Sequence, residues 1–120
     1  MRNRWIAVDF DGVLSSYSGW KGFDVLGEPN SHMIEAVKKF KQLGFNITIF
    51  TTRPATPILI KWLEDNGVLY DSINSNGHNP PMTSIKPIYH LIIDDRALNY
   101  HGQSVDEVVA EAKKIIDKEF

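Results

Sequence analysis

The 120-residue sequence contains no cysteine. Disulfides, thiolate nucleophiles and cysteine-based zinc sites are therefore excluded, and a chain of this kind suits a reducing compartment. Long apolar runs are also missing. Trp5-Ile6-Ala7-Val8 is interrupted at once by Asp9, too short a stretch for a signal-peptide core or a membrane span. The expectation is a cytoplasmic protein that does not engage a membrane. Nor does charge of one sign accumulate. Thirteen Lys and Arg against 15 Asp and Glu leave a formal net charge of -2, so there is no general attraction to nucleic acid and no clear nucleic-acid patch. The densest basic run, Lys38, Lys39 and Lys41, reads as a solvated helix face. Repeats, low-complexity tracts and linkers are lacking too.

What is present is an ordinary globular composition, 42% hydrophobic and 23% charged, in a length suited to a single domain over residues 1–120. Trp5–Val8 reads as a buried strand ending at acidic residues. Residues 12–30 hold Gly12, Gly19, Gly22, Gly27 and Pro29 and predict a flap-like loop or hairpin. A helix follows, capped by Asn30 or Ser31, with Met33, Ile34, Val37, Phe40 and Leu43 as its apolar side and Gly44 as its stop. Phe45–Phe50 is the second strand. Thr56-Pro57 opens a second helix, with threonine as cap and proline in the first turn. Val68–Ile73 and Tyr89–Ile93 read as the third and fourth strands. Ser104 and Glu107 form a capping box for a last helix, whose Val105, Val108, Val109, Ala112 and Ile116 are expected to face the core. Strands alternate with helices, which predicts a Rossmann-like three-layer α/β fold with a small, mostly parallel sheet.

In such sheets ligands bind at the carboxyl ends of the strands. Asp9 and Asp11 follow the first strand, Thr51 and Thr52 the second, and Asp94 and Asp95 the fourth, with Lys86 shortly before the fourth. Four carboxylates at one sheet edge repel unless a cation lies among them. A hard divalent ion with oxygen ligands, Mg²⁺ in the first instance, meets that need and also takes phosphate. His32, His78, His90 and His101 lack metal-ligand spacing and read as surface or loop residues.

The ordered set Val8-Asp9-Phe10-Asp11-Gly12-Val13, Ile49-Phe50-Thr51, Lys86 and Ile92-Ile93-Asp94-Asp95 resembles the four motifs of the haloacid dehalogenase-like phosphohydrolases. Thr51-Thr52-Arg53-Pro54 and Ile93-Asp94-Asp95-Arg96-Ala97 further resemble a small capless branch of that superfamily. The resemblance implies a magnesium-dependent phosphomonoester hydrolase with an aspartyl-phosphate intermediate. It makes Asp9 the nucleophile and Asp11 the acid and base, with Thr51 and Lys86 assisting catalysis. Asp9, Asp11 (through its backbone carbonyl), Asp94 and Asp95 would hold Mg²⁺. Thr51, Thr52, Lys86, Gly12 and Arg53 would meet the substrate phosphate.

Two insertion points used by larger relatives for cap domains, residues 12–30 and 52–85, are too short here for a separate cap domain. The site is therefore expected to be open, its partner a phosphorylated nucleotide, sugar or nucleic-acid end, with oligomerisation as one way to supply a lid. Tyr17, Trp20 and Phe23 either stack on such a substrate or pack the flap onto the core. Two other readings stay open. One is a phosphoacceptor module of the receiver type, although its phosphorylated aspartate would follow the third strand. The other is a non-catalytic phosphate-binding relative.

Overall fold

The computed structural model describes residues 4–75 and 89–117. The sequence Trp5–Asp9 forms β1, Ser31–Gln42 α1, Asn46–Phe50 β2, Pro57–Asp65 α2, Ser72–Ile73 β3, Leu91–Ile93 β4 and Val105–Ile116 α3. The four strands make one all-parallel sheet in the order β3-β2-β1-β4. Among the described residues the fold is thus a small α/β sheet with three helices, and its first strand lies in the interior, as the run of apolar residues requires. Ile6, Ala7 and Val8 are almost fully buried, which a strand flanked on both sides demands.

The core is built from alternate elements. Ile6 and Val8 of β1 and Ile47 and Ile49 of β2 join Ile34 and Val37 of α1 and Leu59 and Leu63 of α2. Phe10, Val13 and Leu14, from the turn after β1, complete it. Each of the first two helices starts where the sequence says it should. Thr56 Oγ1 accepts from Leu59 N–H and Pro57 occupies the first turn. Asn30 stands at the N-cap of α1, but its side chain is used elsewhere, donating to the Val13 carbonyl at 2.9 Å. This bond fastens the helix start to the turn after β1. At the far end of α1, Lys41 pairs with Asp71 at 2.7 Å, and Asp71 also accepts from Ile47 N–H.

Three expectations are shortened or overturned. The third strand spans only Ser72–Ile73, because Val68 is spent closing the end of α2, its N–H donating to the Leu63 carbonyl. The fourth spans only Leu91–Ile93. Beside it, the Trp5 N–H goes to His90 Nδ1 at 3.1 Å, a side-chain acceptor where a strand would offer a carbonyl. The capping box of α3 is formed in both directions between Ser104 and Glu107. Its apolar stripe is not buried, however. Val105 and Ile116 are 79% and 71% exposed, and no α3 residue joins the core. Periodicity identified the helix correctly, but amphipathicity does not by itself supply a partner surface. Among the described residues no helix is long and apolar enough to cross a membrane.

Candidate metal and phosphate site

The strand order dictates where the polar residues meet. β1 lies between β2 and β4, so three neighbouring parallel strands finish side by side, about 4.8 Å apart. Asp9 is the last residue of β1, Thr51 follows β2 and Asp94 follows β4. The result is a cluster in which Asp9, Asp94 and Asp95 each bring a carboxylate oxygen within 4.8 Å of the others. Asp11, one turn further on, is not in that cluster.

The cluster is electrostatically unfavourable by itself. Burial first, then the negative charges of Asp94 and Asp95, pushes the Asp9 carboxyl up to about 7 from an ordinary 3.8, against a lowering hydrogen bond from Phe10 N–H. Asp94 Oδ1 accepts from Arg96 N–H at 2.8 Å, which fixes the turn after β4. Asp95 Oδ1 is buried without a hydrogen-bond partner among the described residues, a costly arrangement for a carboxylate. Gly12 adjoins it, with φ +85, and a Cβ there would collide with the Asp95 carboxylate. The donor set is all oxygen and anionic, and one oxygen lacks a partner. These features fit a hard divalent cation.

The second side of the site comes from β2. Thr51 and Thr52 line the same cavity of about 320 Å³ as Asp9, Asp11, Asp94 and Asp95, together with Tyr17, Trp20, Phe50 and Arg96. The Thr51 N–H is taken by Asn74 Oδ1 at 2.8 Å, and Thr51 Oγ1 accepts from Arg53 N–H. Asn74 was not singled out from the sequence. Its signal is weak, an asparagine just past a short strand, and its left-handed backbone (φ 58) is one that asparagine tolerates.

Arg53, expected at the substrate phosphate, has a different set of partners. The residue is 3% exposed. Its Nε and Nη2 grip the two oxygens of Asp11 at 2.8 and 2.9 Å. Its remaining donors go to the carbonyls of Gly22, Phe23 and Val25. All five N–H groups of the guanidinium are thus engaged within the chain. The same group lies 4.8 Å from the Trp20 ring centroid and 5.7 Å from that of Phe10. Arg53 is thus spent on a salt bridge that shapes the loop.

The flap is fastened at its base as well. Ser16 N–H donates to Glu28, Asn30 N–H to Leu14, and Trp62 Nε1 to Gly27. Gly27 permits the approach, since a Cβ there would strike the Ser16 carbonyl. Residues 12–30 form a loop held by isolated bridges at Ser15, not a hairpin of strands. Val13 and Leu14 anchor it in the core, whereas Trp20 and Phe23 are 57% and 50% exposed. Lys86, with His78, lies outside the described residues.

No family model matches the chain, and no curated protein does. Solved structures do resemble it. A conserved protein from Bacteroides thetaiotaomicron is 24% identical with a TM-score of 0.64, over 98% of this chain and 94% of that one. A protein from Vibrio cholerae is 25% identical with a TM-score of 0.52, over 92% of this chain and 98% of the other. The likeness runs nearly end to end and concerns the fold. Fold and site together define a small parallel α/β protein with an acidic cluster at the carboxyl edge of its sheet, suited to a metal ion.

Proposed function

We propose that the chain is a magnesium-dependent phosphomonoester hydrolase of the haloacid dehalogenase-like kind, working through an aspartyl-phosphate at Asp9. The observation that carries this reading is the gathering of the Asp9, Asp94 and Asp95 carboxylates within 4.8 Å, in one cavity with Thr51 and Thr52. Asp9, Asp94, Asp95 and the Asp11 carbonyl would hold Mg²⁺, which supplies charge neutralisation for carboxylates and phosphate.

The chain's own groups would then act in two displacements. A carboxylate oxygen of Asp9 attacks phosphorus as the bond to the ester oxygen breaks, and Asp11 gives that oxygen a proton. Water next attacks the aspartyl-phosphate, Asp11 takes its proton, and inorganic phosphate leaves with Asp9 restored. Phe10 N–H donates to Asp9 Oδ1 at 2.8 Å and would help orient the carboxylate for attack. The Thr51 hydroxyl and the amides after β2 would face the phosphoryl oxygens. For the Thr51 N–H to join them, Asn74 must give it up. Lys86 would add positive charge to the same encounter. Asp11 must loosen from Arg53 to reach the leaving group. That requirement favours a second reading, a phosphoacceptor whose aspartyl-phosphate turns over slowly.

The test is hydrolysis of p-nitrophenyl phosphate with and without Mg²⁺. Sustained, magnesium-dependent turnover that is absent in Asp9→Asn supports the hydrolase. A single equivalent of stable acyl phosphate supports the phosphoacceptor. Full activity in Asp9→Asn removes both.

A further inference from the structure

Resting on the phosphohydrolase reading, we propose that the substrate is a phosphate monoester whose leaving group carries a planar aromatic ring, of the nucleoside monophosphate class, and that Trp20 and Tyr17 of the flap receive that ring. The cavity at Asp9 is lined by two unlike kinds of residue. Carboxylates and hydroxyls come from Asp9, Asp94 and Thr51, and aromatic rings from Tyr17, Trp20 and Phe50. A phosphate ester of an aromatic-bearing alcohol offers a group for each.

The aromatic side is built rather than incidental. Flap aromatics that only closed the core would be buried. Core closure is done by Val13 and Leu14 instead, and Trp20 is left 57% exposed. Exposed as it is, its ring has a fixed support, the guanidinium of Arg53 at 4.8 Å. Tyr17 has the same kind of support from Arg96 at 5.6 Å. Arg53 is in turn locked on both oxygens of Asp11. That pair sets the stacking surface beside the group that would protonate the leaving oxygen. The bonds of Arg53 to the carbonyls of Gly22, Phe23 and Val25 support the platform when Asp11 is released, so little ordering entropy remains to be lost when a ring lands on it.

Size and charge narrow the class. About 320 Å³ is at the lower end of small-molecule sites, which run from roughly 300 to 1,000 Å³. This suits one base and one sugar. A strand of nucleic acid would need a track of cations for its further phosphates, whereas this chain carries a net charge of -2. The mononucleotide is thus favoured over the oligonucleotide end.

The decisive comparison is adenosine 5′-monophosphate against ribose 5-phosphate, which present the same phosphate on the same sugar and differ by the base. Base stacking on an aromatic side chain should raise kcat/KM for the nucleotide about tenfold or more. Trp20→Ala should bring the ratio close to one, and Trp20→Phe should restore most of it. A residue with only a structural role would change both substrates alike. In parallel, equilibrium dialysis of the Asp9→Asn protein with Mg²⁺ and each radiolabelled ligand should show the same preference in affinity. Equal kcat/KM and equal affinity for the two ligands would overturn the inference while leaving the hydrolase reading intact. If neither ester nor p-nitrophenyl phosphate is turned over, that reading fails, and the dialysis ratio alone decides the ring preference. Faster turnover of a 5′-phosphorylated oligonucleotide than of the mononucleotide would overturn the size assignment.

Discussion

Arg53 and Asp11 form a fork-to-fork pair, Nε to Oδ2 at 2.8 Å and Nη2 to Oδ1 at 2.9 Å, with the arginine 3% and the aspartate 18% exposed at their side chains. The pair joins the turn after β1 to the loop after β2, and the remaining arginine donors bind the flap. Removing the arginine strands Asp11 in a partly buried place and unties three carbonyls. Arg53→Ala should therefore cost about 3 kcal/mol in urea unfolding. Arg53→Lys keeps the charge but not the fork, and should cost about half as much. In both variants limited proteolysis should cut within residues 17–26 before the rest of the chain.

Asp9 makes the site dependent on pH in a direction that can be worked out. Its carboxyl is raised to about 7 in the folded chain, against an ordinary 3.8. The folded state thus holds this proton more tightly than the unfolded one. The associated stability is complete below about pH 4 and is lost as pH rises through 7. Without divalent ions the melting temperature should carry a decline over that interval. Mg²⁺ competes with the proton, so its stabilising effect should be larger at pH 8 than at pH 5.5, measured by differential scanning fluorimetry.

Replacing Asp9 by asparagine separates charge from fold. The amide removes one of three clustered anions, so the Asp9→Asn protein without Mg²⁺ should melt no lower than the parent at pH 8. The proposed phosphatase activity should fall by at least about a thousandfold, because an amide cannot form the phosphoenzyme. Calorimetric titration should show weaker Mg²⁺ binding in the same variant.

Gly12→Ala tests the contact between the first turn and the second aspartate pair. The new methyl group collides with the Asp95 carboxylate, and the backbone stands at φ +85, which side chains rarely adopt. A loss of about 1–2 kcal/mol in stability is expected, with a larger proportional loss in Mg²⁺ affinity by titration. Gly67→Ala, where φ is +70 but a Cβ meets nothing within 4 Å, is the control. It should reproduce the backbone penalty without touching metal affinity.

Much of the site's location was legible in the sequence, for a specific reason. Asp9, Thr51 and Asp94 each stand at the end of an apolar, β-branched run, and parallel strands of one sheet must end on the same edge. Chain order then brings the residues together without any knowledge of side-chain packing. The role of Arg53 was not legible. Whether a guanidinium faces a ligand or a neighbouring carboxylate depends on how the flap folds back, and the flap's glycines constrain no single path. The ends of β3 and β4 escaped for a smaller-scale reason. Asp71 and His90 accept backbone N–H groups with their side chains where a longer strand would offer its carbonyls. The exposed stripe of α3 shows the limit of periodicity, which specifies a face and not the surface opposite.

The flap is tied at Ser16, Asn30 and Gly27 and again through Arg53. An enzyme that encloses its substrate decides which acceptor meets the activated phosphoryl group. A site whose flap is fastened in this way would leave that choice to bulk solvent. For the phosphoenzyme proposed at Asp9, water would be the default acceptor. Transfer to any other alcohol would have to win by proximity alone, through a second molecule stacked beside the first.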